Sequence, residues 1–385
     1  MNAAQTPPLA LYVHWPFCVS KCPYCDFNSH VRAEIDQTAW RAALLADLAH
    51  EARETSGARL GSIFFGGGTP SLMPPETVAA VIEAAERAWG FEPGIEITLE
   101  ANPSSVEAAR FADIAAAGVN RVSLGLQALD DAALAFLGRA HDVREGLAAL
   151  ETAQAEFGRV SFDLIYARPD QSLADWRAEL ARAIGFGTEH LSLYQLTIEP
   201  GTRFATEAAA GRLTIPDGDT AADLFEATRA LTAAAGLPAY EVSNHARPGA
   251  ESRHNMSYWR YTGYAGIGPG AHGRRGQLAT MRHKKPENWL AAVTRNAHGT
   301  QTEEQLTPRD QAVEALVMGL RLEQGIDRAA LTTRGIDLGI ILDDAAIDRL
   351  ADSGLIISTA ERLSLTDQGM PVLDAVLREI TRPGA

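Results

Sequence analysis

Short apolar segments alternate with longer segments of helical periodicity along the first 200 residues. Six of the apolar segments, each four to six residues long, have the composition of buried strands. They lie at residues 11–15, 62–65, 95–99, 121–126, 160–164 and 191–196. Apolar residues four positions apart mark the helices between them, as at Trp40, Leu44 and Leu48. This alternation predicts parallel βαβ units with right-handed crossovers.

About six such units fit before residue 200, whereas a complete eight-fold barrel usually takes about 250 residues. The sequence therefore predicts an α/β protein with a partial (β/α)6 TIM-like barrel, and periodicity leaves a doubly wound sheet open as the alternative. In both folds ligands bind where the parallel strands end. Polar or glycine residues stand at or near such ends, including glycines 66–68, Glu100, Gln127 and Asp163. We expect the ligand site there.

The pattern changes after about residue 300, where helices are followed by two short apolar segments that read as a hairpin. Helices and a small hairpin are typical of a winged-helix-like domain. The predicted organisation is a disordered N-terminus at residues 1–8, a barrel domain at 9–300 and a winged-helix-like domain at 301–385.

Acidic residues outnumber basic ones by 49 to 34, which gives a net charge of −15. Such a charge repels phosphate backbones and argues against a nucleic-acid partner. No segment approaches the roughly 20 apolar residues of a membrane span. The first eight residues lack the basic region and apolar core of a signal peptide. We therefore expect a cytoplasmic protein.

The chain has three cysteines, and all of them lie in one short loop with the spacing Cys18-x3-Cys22-x2-Cys25. Three thiolates on one loop can hold three irons of a cubane cluster. The fourth iron would then have no cysteine ligand, and an open metal position is typical of a reactive site. A structural zinc site, with His14 or His30 as the fourth ligand, is the alternative.

The segment Cys18-Val-Ser-Lys-Cys22-Pro-Tyr-Cys25 resembles the signature loop of the radical-SAM superfamily. The resemblance implies a [4Fe–4S] cluster whose fourth iron is chelated by the amino and carboxylate groups of S-adenosylmethionine. It also implies that the reduced cluster cleaves the sulfonium to a 5′-deoxyadenosyl radical. Tyr24 occupies the position that packs near the adenine in that superfamily. Gly67, Gly68 and Thr69 resemble the segment that holds the methionine amino group.

Further positions resemble one branch of the superfamily, the oxygen-independent coproporphyrinogen III oxidases, over nearly the whole chain. The resemblance implies S-adenosylmethionine contacts at Glu100, Gln127, Arg139 and Asp163, and a cluster-proximal tyrosine at Tyr12. It also implies that residues 301–385 are like the C-terminal domain of that branch. The oxidases proper have another cysteine two residues beyond the last one of the loop. Phe27 stands at that position here, so the chain departs from the oxidase pattern.

The segment Arg253-His254-Asn255-Met256-Ser257-Tyr258-Trp259 resembles the His-Asn-x-x-Tyr-Trp signature of the HemW-type haem chaperones. A neutral histidine is a good axial ligand for haem iron, and aromatic side chains offer surface to a flat macrocycle. The resemblance implies haem contacts at His254, Asn255, Tyr258 and Trp259. His14, His30 and His272 are the alternative histidine ligands.

Two functions follow from these resemblances. The favoured hypothesis is a haem chaperone that passes haem to an unknown acceptor protein and uses a flavodoxin- or ferredoxin-like electron donor. Peripheral membrane contact is expected only through the acceptor. The alternative is a coproporphyrinogen III oxidase, which decarboxylates propionates of its substrate oxidatively by abstracting a hydrogen atom. No catalytic residue is assigned for either function.

Overall fold

The computed structural model describes residues 7–382, and one large sheet dominates it. Most of the segment predicted to be disordered, residues 1–6, lies outside the described residues. The strands are β1 Leu9–Trp15, β2 Phe17–Cys18, β3 His30–Val31, β4 Leu60–Gly67, β5 Phe91–Ala101, β6 Arg121–Gln127, β7 Arg159–Tyr166, β8 His190–Gln195, β9 Asn244–Ala246, β10 Tyr264–Ile267, β11 His272–Arg275, β12 Leu278–Arg282, β13 Thr300–Gln305, β14 Ile326–Asp327, β15 Ile356–Ser358 and β16 Arg362–Leu365.

Helices follow most of the parallel strands, as the alternating pattern predicts. They are α1 Gln37–Glu54, α2 Pro75–Trp89, α3 Ser105–Ala108, α4 Phe111–Ala116, α5 Asp131–Phe136, α6 Val143–Glu156, α7 Leu173–Ile184, α8 Arg203–Ala209, α9 Gly218–Ala234, α10 Arg253–Trp259, α11 Pro286–Asn296, α12 Pro308–Gly319, α13 Arg328–Thr333, α14 Asp344–Asp352 and α15 Leu373–Ile380. Within residues 7–382, no helix is both long enough and apolar enough to cross a membrane.

Within residues 7–382, the large sheet has eleven strands in the order β13-β12-β11-β10-β1-β4-β5-β6-β7-β8-β9. The six predicted strands are β1, β4, β5, β6, β7 and β8, and each pairs in parallel with the next. The predicted partial barrel is therefore confirmed. Strand β10 adds a seventh parallel strand beside β1, and the remaining strands extend both edges in antiparallel pairing.

Successive side chains of β1 point alternately to the surrounding helices and to the interior of the barrel. Leu11, Val13 and Trp15 are buried in the main hydrophobic core. Tyr12 and His14 point to the opposite face, because successive side chains of a strand alternate. The other parallel strands follow the same rule, so polar side chains such as Glu100 and Asp163 collect inside the barrel.

The C-terminal domain has a hydrophobic core of its own, built from α12 to α15 and a three-stranded sheet in the order β14-β16-β15. The hairpin predicted at residues 355–365 is present as β15 and β16. The boundary predicted between residues 300 and 301 falls inside the main sheet, however. Strand β13 pairs with β12 up to Gln305 opposite Leu278, so the small domain begins after that residue.

A buried ion cluster joins the first helix to the late part of the sheet. Arg282 on β12 donates to Glu51 at 2.6 Å and to Asp47 at 3.3 Å, and all three side chains are fully buried. Asp47 also accepts from the Trp289 indole at 3.1 Å and from the Gly299 amide at 3.0 Å. These contacts hold the β10–β13 extension against α1, beside the strand that leads into the cysteine loop.

Candidate functional site

The cysteine loop follows β1, and its two ends pair with each other. Strands β2 and β3 pair in parallel, with Cys18 opposite Val31. A turn inside the loop is closed by the Cys25 amide, which donates to the Cys22 carbonyl at 3.2 Å. All three cysteines are free thiols and half-buried. The loop thus presents three thiols from a short, constrained segment at the carboxyl end of the barrel.

Each sulfur has a polar neighbour. The Thr69 hydroxyl donates to Cys18 Sγ at 3.4 Å, and Arg139 Nη1 donates to Cys22 Sγ at 3.5 Å. Ser29 Oγ lies 3.9 Å from Cys25 Sγ. Donors of this kind stabilise thiolates and tune metal–sulfur bonds. Burial raises the pKa of the Cys18 and Cys25 thiols, so metal binding has to displace their protons.

The zinc alternative does not fit the surroundings of His14. Its Nδ1 is 2.9 Å from the Tyr12 hydroxyl and its Nε2 is 2.9 Å from the Asn28 carbonyl oxygen, so both ring nitrogens are engaged. Among the residues from 7 to 382, no three His, Cys, Asp or Glu side chains converge on a point that suits a single metal ion. Three thiols that each bind a different iron of a cubane need no such convergence.

The glycine run ends β4 directly beneath the cysteine loop. Gly67 has a φ of 111°, and a Cβ there would lie 2.5 Å from the His14 ring. A Cβ on Gly68 would lie 2.7 Å from the Phe17 carbonyl oxygen. The Gly68 amide donates to the Trp15 carbonyl at 2.7 Å. Only glycine permits this close approach, which fixes the loop to the end of the neighbouring strand.

Two partly buried carboxyl groups face the interior of the barrel near that loop. The Gly67 amide donates to Glu100 Oε2 at 3.2 Å, and the Ser123 hydroxyl donates to Asp163 Oδ1 at 3.2 Å. Burial, and then the charge of Asp163, raise the pKa of Glu100 to about 8. Burial raises the pKa of Asp163 to about 6, although the hydrogen bonds that it accepts from Ser192 and Ser123 lower it. A cationic or hydroxyl-bearing ligand would stabilise both ionised forms.

The structure brings Arg139 to the cysteine loop. Its Nη2 donates to Asn102 Oδ1 at 2.6 Å and to the Gly125 carbonyl at 3.0 Å, while Nη1 reaches Cys22. Arg139 thereby links the loop to the ends of β5 and β6. Gln127 ends β6 with a φ of 68°, where the pairing with β7 shifts register. Tyr24 packs near the Phe204 ring at 6.4 Å.

Sequence reasoning missed the role of two asparagines. Asn28 Nδ2 donates to the carbonyls of Pro269 and Lys284, both at 2.9 Å, and so ties the cysteine loop to the β10–β12 extension. Asn102 connects Arg139 to the Thr69 hydroxyl, to which its Nδ2 donates at 3.2 Å. The only signal in the sequence was the position of each, three residues after Cys25 and two after Glu100.

The predicted haem segment forms α10, in which His254 is buried and only 1% exposed. Its Nδ1 is 3.1 Å from Ser62 Oγ and its Nε2 is 2.9 Å from the Tyr258 hydroxyl. The imidazole also stacks on Phe64 at 4.9 Å. Burial lowers its pKa to about 3, so it is neutral. Neither nitrogen is free for iron in this arrangement, and His254 instead anchors α10 to the inside of the barrel.

The haem segment and the cysteine loop lie at opposite ends of the strands. Ser62, which contacts His254, is near the start of β4, whereas the loop is fastened to its end at Gly67 and Gly68. Ser62 and Gly67 are five positions apart along the strand, or roughly 16 Å at about 3.3 Å per residue. Tyr12 lies between the two ends, with its hydroxyl on His14 and its ring 6.2 Å from that of His254.

Comparisons with known proteins agree with this geometry. The radical SAM superfamily matches residues 12–183, and the HemN C-terminal domain matches residues 306–372. The heme chaperone HemW of Escherichia coli is 36% identical over 97% of this chain and 98% of its own. The chain belongs to the HemW family of radical-SAM proteins. The bovine mitochondrial radical S-adenosyl methionine domain-containing protein 1 is 40% identical over 96% of this chain and 86% of its own.

A solved structure supports the fold over almost the full length. The coproporphyrinogen III oxidase HemN of Escherichia coli, a radical SAM enzyme, superposes with a TM-score of 0.79 at 22% identity. The match covers 97% of this chain and 90% of that one. The predicted family and fold class are thus confirmed. The cofactors of the superfamily are a [4Fe–4S] cluster and S-adenosylmethionine, and the free thiols and partly buried carboxyls at the carboxyl end of the barrel suit them.

Replacing Glu100 by glutamine is expected to stabilise the cofactor-free protein. Because burial and Asp163 raise the pKa of Glu100 from 4.5 to about 8, the folded chain keeps a proton that the unfolded chain releases. Stability is therefore lost as pH rises from 4.5 to 8, and glutamine removes this loss. The gain in the free energy of unfolding should be absent at pH 4 and reach about 1–3 kcal/mol at pH 8. This gain is smaller than the full pKa shift would give. Thermal unfolding across this pH range measures it.

Glu83→Gln is the matched control for this prediction, since Glu83 is 66% exposed and pairs only with Arg87 at the surface of α2. It should show no pH-dependent gain. A Glu100→Gln protein with the same stability difference at pH 4 and pH 8 would contradict the raised pKa.

Proposed function

We propose that this protein is a haem chaperone, which binds haem and passes it to an acceptor protein. The observation that carries the proposal is the 36% identity to the heme chaperone HemW across nearly the whole of both chains. Phe27 supports it, because it stands in the loop where the oxidases have a further cysteine, and its side chain is 60% exposed. Haem would be bound at the α10 segment, around His254, Asn255, Tyr258 and Trp259.

The carboxyl end of the barrel would serve the transfer rather than decarboxylate a porphyrin. When bound, the cluster and S-adenosylmethionine supply one-electron chemistry at this end. The chain itself would stabilise the thiolates with Thr69 and Arg139 and offer partly buried carboxyls to the cationic part of the ligand. The proposed S-adenosylmethionine site comprises Tyr12, Tyr24, Gly67, Gly68, Thr69, Glu100, Gln127, Arg139 and Asp163.

The surface around the loop suits an electron donor. Three apolar side chains of the loop and its flanks are exposed, Val19 by 74%, Phe27 by 60% and Val31 by 50%. A flavodoxin- or ferredoxin-like protein could cover them, because such transient contacts combine a small apolar centre with a polar rim. We place the protein in the cytoplasm, with no nucleic-acid partner and with membrane contact only through the acceptor.

The alternative function, coproporphyrinogen III oxidase, is separated from the proposal by a turnover assay. The protein is purified anaerobically, reconstituted with iron and sulfide, and given coproporphyrinogen III, S-adenosylmethionine and dithionite. A chaperone should form no protoporphyrinogen IX, whereas an oxidase forms it in step with 5′-deoxyadenosine and methionine. Multiple turnovers under these conditions would overturn the proposal and the interpretation of Phe27.

A further inference from the structure

A large cleft separates the amino-terminal end of the barrel from the C-terminal domain. Helix α10 forms one wall, and α12, α13 and the segment 322–327 form the other. Its volume of about 1120 Å³ is somewhat above the roughly 300–1,000 Å³ of pockets that hold small molecules and cofactors. Much of its lining is apolar, including Pro93, Pro238, Pro248, Trp259 and Leu322. This space, called the α10 cleft below, has room and apolar surface for a flat macrocycle.

Helix α10 has two faces, and only one of them points into the barrel. His254 and Tyr258, one turn apart, hydrogen-bond to each other inside it. Arg253, Met256 and Arg260 recur at helical spacing on the other face and line the α10 cleft. A ligand in the cleft therefore meets Met256, Trp259 and Arg260 rather than His254.

Met256 is the cleft residue best suited to bind haem iron. Histidine, cysteine, methionine and tyrosine are the axial ligands of protein haems. The two cleft tyrosines are engaged, Tyr240 with His190 at 2.9 Å and Tyr261 with Glu314 at 2.7 Å. No histidine or cysteine of residues 7–382 lines the cleft. Met256 is half-buried against Tyr240, and its thioether is a soft ligand that suits haem iron.

The arginines of the cleft make no hydrogen bond or ion pair with a carboxylate of the described residues. Arg253, Arg334 and Arg362 donate only to backbone carbonyls, at 2.6 Å for the bond from Arg253 to Gly94. Arg260 is exposed and makes no side-chain hydrogen bond within residues 7–382. Burial, and then the charge of Arg274, lower the pKa of Arg334, although the charge of Asp327 acts in the opposite direction.

The acidic residues of the cleft are mostly engaged elsewhere. Glu92 pairs with Arg59 at 2.9 Å, and Glu323 pairs with Arg229 at 2.7 Å. Asp327 caps the start of α13 by accepting from the Ala330 amide. The cleft thus combines an apolar lining with guanidinium groups that are not hydrogen-bonded to carboxylates, which suits an apolar ring that carries propionates.

We propose that haem is seated in the α10 cleft, with its iron on the Met256 thioether and a propionate on the Arg260 guanidinium. This inference rests on the proposed haem-chaperone function. His254 then stays inside the barrel as a positioning residue that holds α10 by its hydrogen bonds to Ser62 and Tyr258.

The test is an anaerobic haem titration of the full chain and of single variants, followed by absorbance and magnetic circular dichroism. Met256→Ala should remove the spectral signature of a thioether-ligated ferric haem and weaken haem binding at least about 10-fold. Arg260→Gln should weaken haem binding about 10-fold without changing the spectrum. Met281→Ala on β12 and Arg177→Gln on α7, both remote from the cleft, are the matched controls and should behave as the unaltered protein.

His254→Gln, which keeps a hydrogen-bonding group in the barrel, separates the ligand from the anchor. It should leave the ligation spectrum unchanged. Loss of the spectrum in His254→Gln, with Met256→Ala unaffected, would overturn the proposed seat while the haem-chaperone function stands. Failure of the unaltered protein to bind haem would instead contradict the function itself, and this inference with it.

Discussion

Cys22→Ser is expected to abolish the [4Fe–4S] cluster. The chain has no cysteine outside the loop that could replace the lost ligand, and a serine hydroxyl is a poor substitute for a thiolate. Arg139 would also lose the sulfur to which it donates at 3.5 Å. After anaerobic reconstitution, the iron and acid-labile sulfide content should fall from about four of each per chain to near zero.

Ser29→Ala provides the matched control, because its hydroxyl is close to Cys25 Sγ, at 3.9 Å, without being a ligand. The Ser29→Ala protein should retain the cluster. The electron paramagnetic resonance signal of its reduced cluster should be present, with no more than a small shift. Full iron and sulfide in Cys22→Ser would contradict the three-thiolate site. Zinc without sulfide in the unaltered protein would restore the structural-zinc interpretation.

Arg282→Met is expected to be strongly destabilising. It leaves Asp47 and Glu51 fully buried without their shared cation. Removal of one partner from such a buried cluster costs about 3–5 kcal/mol, since the remaining charges keep their desolvation penalty. Urea unfolding followed by tryptophan fluorescence measures the loss, because Trp40 and Trp289 stack 5.0 Å apart beside the cluster.

Arg349→Met is the control for this change. Arg349 pairs with Glu379 at 2.8 Å, but the two side chains are 61% and 54% exposed. Exposed pairs contribute at most about 1 kcal/mol. A loss in Arg282→Met no larger than in Arg349→Met would mean that the buried cluster does not hold the sheet extension against α1.

The sequence predicted the parallel strands and the end of the barrel that carries the site, because both depend on local patterns. The alternation of short apolar segments with helical ones predicted the parallel strands. Residues at the ends of these strands, such as Gly67 and Glu100, then lie at one edge of the sheet because the strands are parallel. The spacing of the cysteines is likewise local, and it limited the metal chemistry to a few choices before any contact was known.

Contacts between distant segments could not be read in the same way. Strand β10 pairs with β1 although about 250 residues separate them, and Arg282 meets Asp47 across 235 residues. His254 meets Ser62 across 192 residues, so the hydrogen bond that holds its ring inside the barrel could not be predicted from the local motif. The α10 cleft likewise exists only because the small domain stands opposite the barrel.

The central claim, that this radical-SAM protein carries haem, is tested most directly by the stoichiometry of haem binding. The reconstituted full-length protein is titrated anaerobically with haem, and the mixture is passed through a gel-filtration column. We predict saturation at one haem per chain, with the haem retained by the monomer or oligomer peak. Weak, non-saturating binding, with the haem stripped on the column, would contradict the claim.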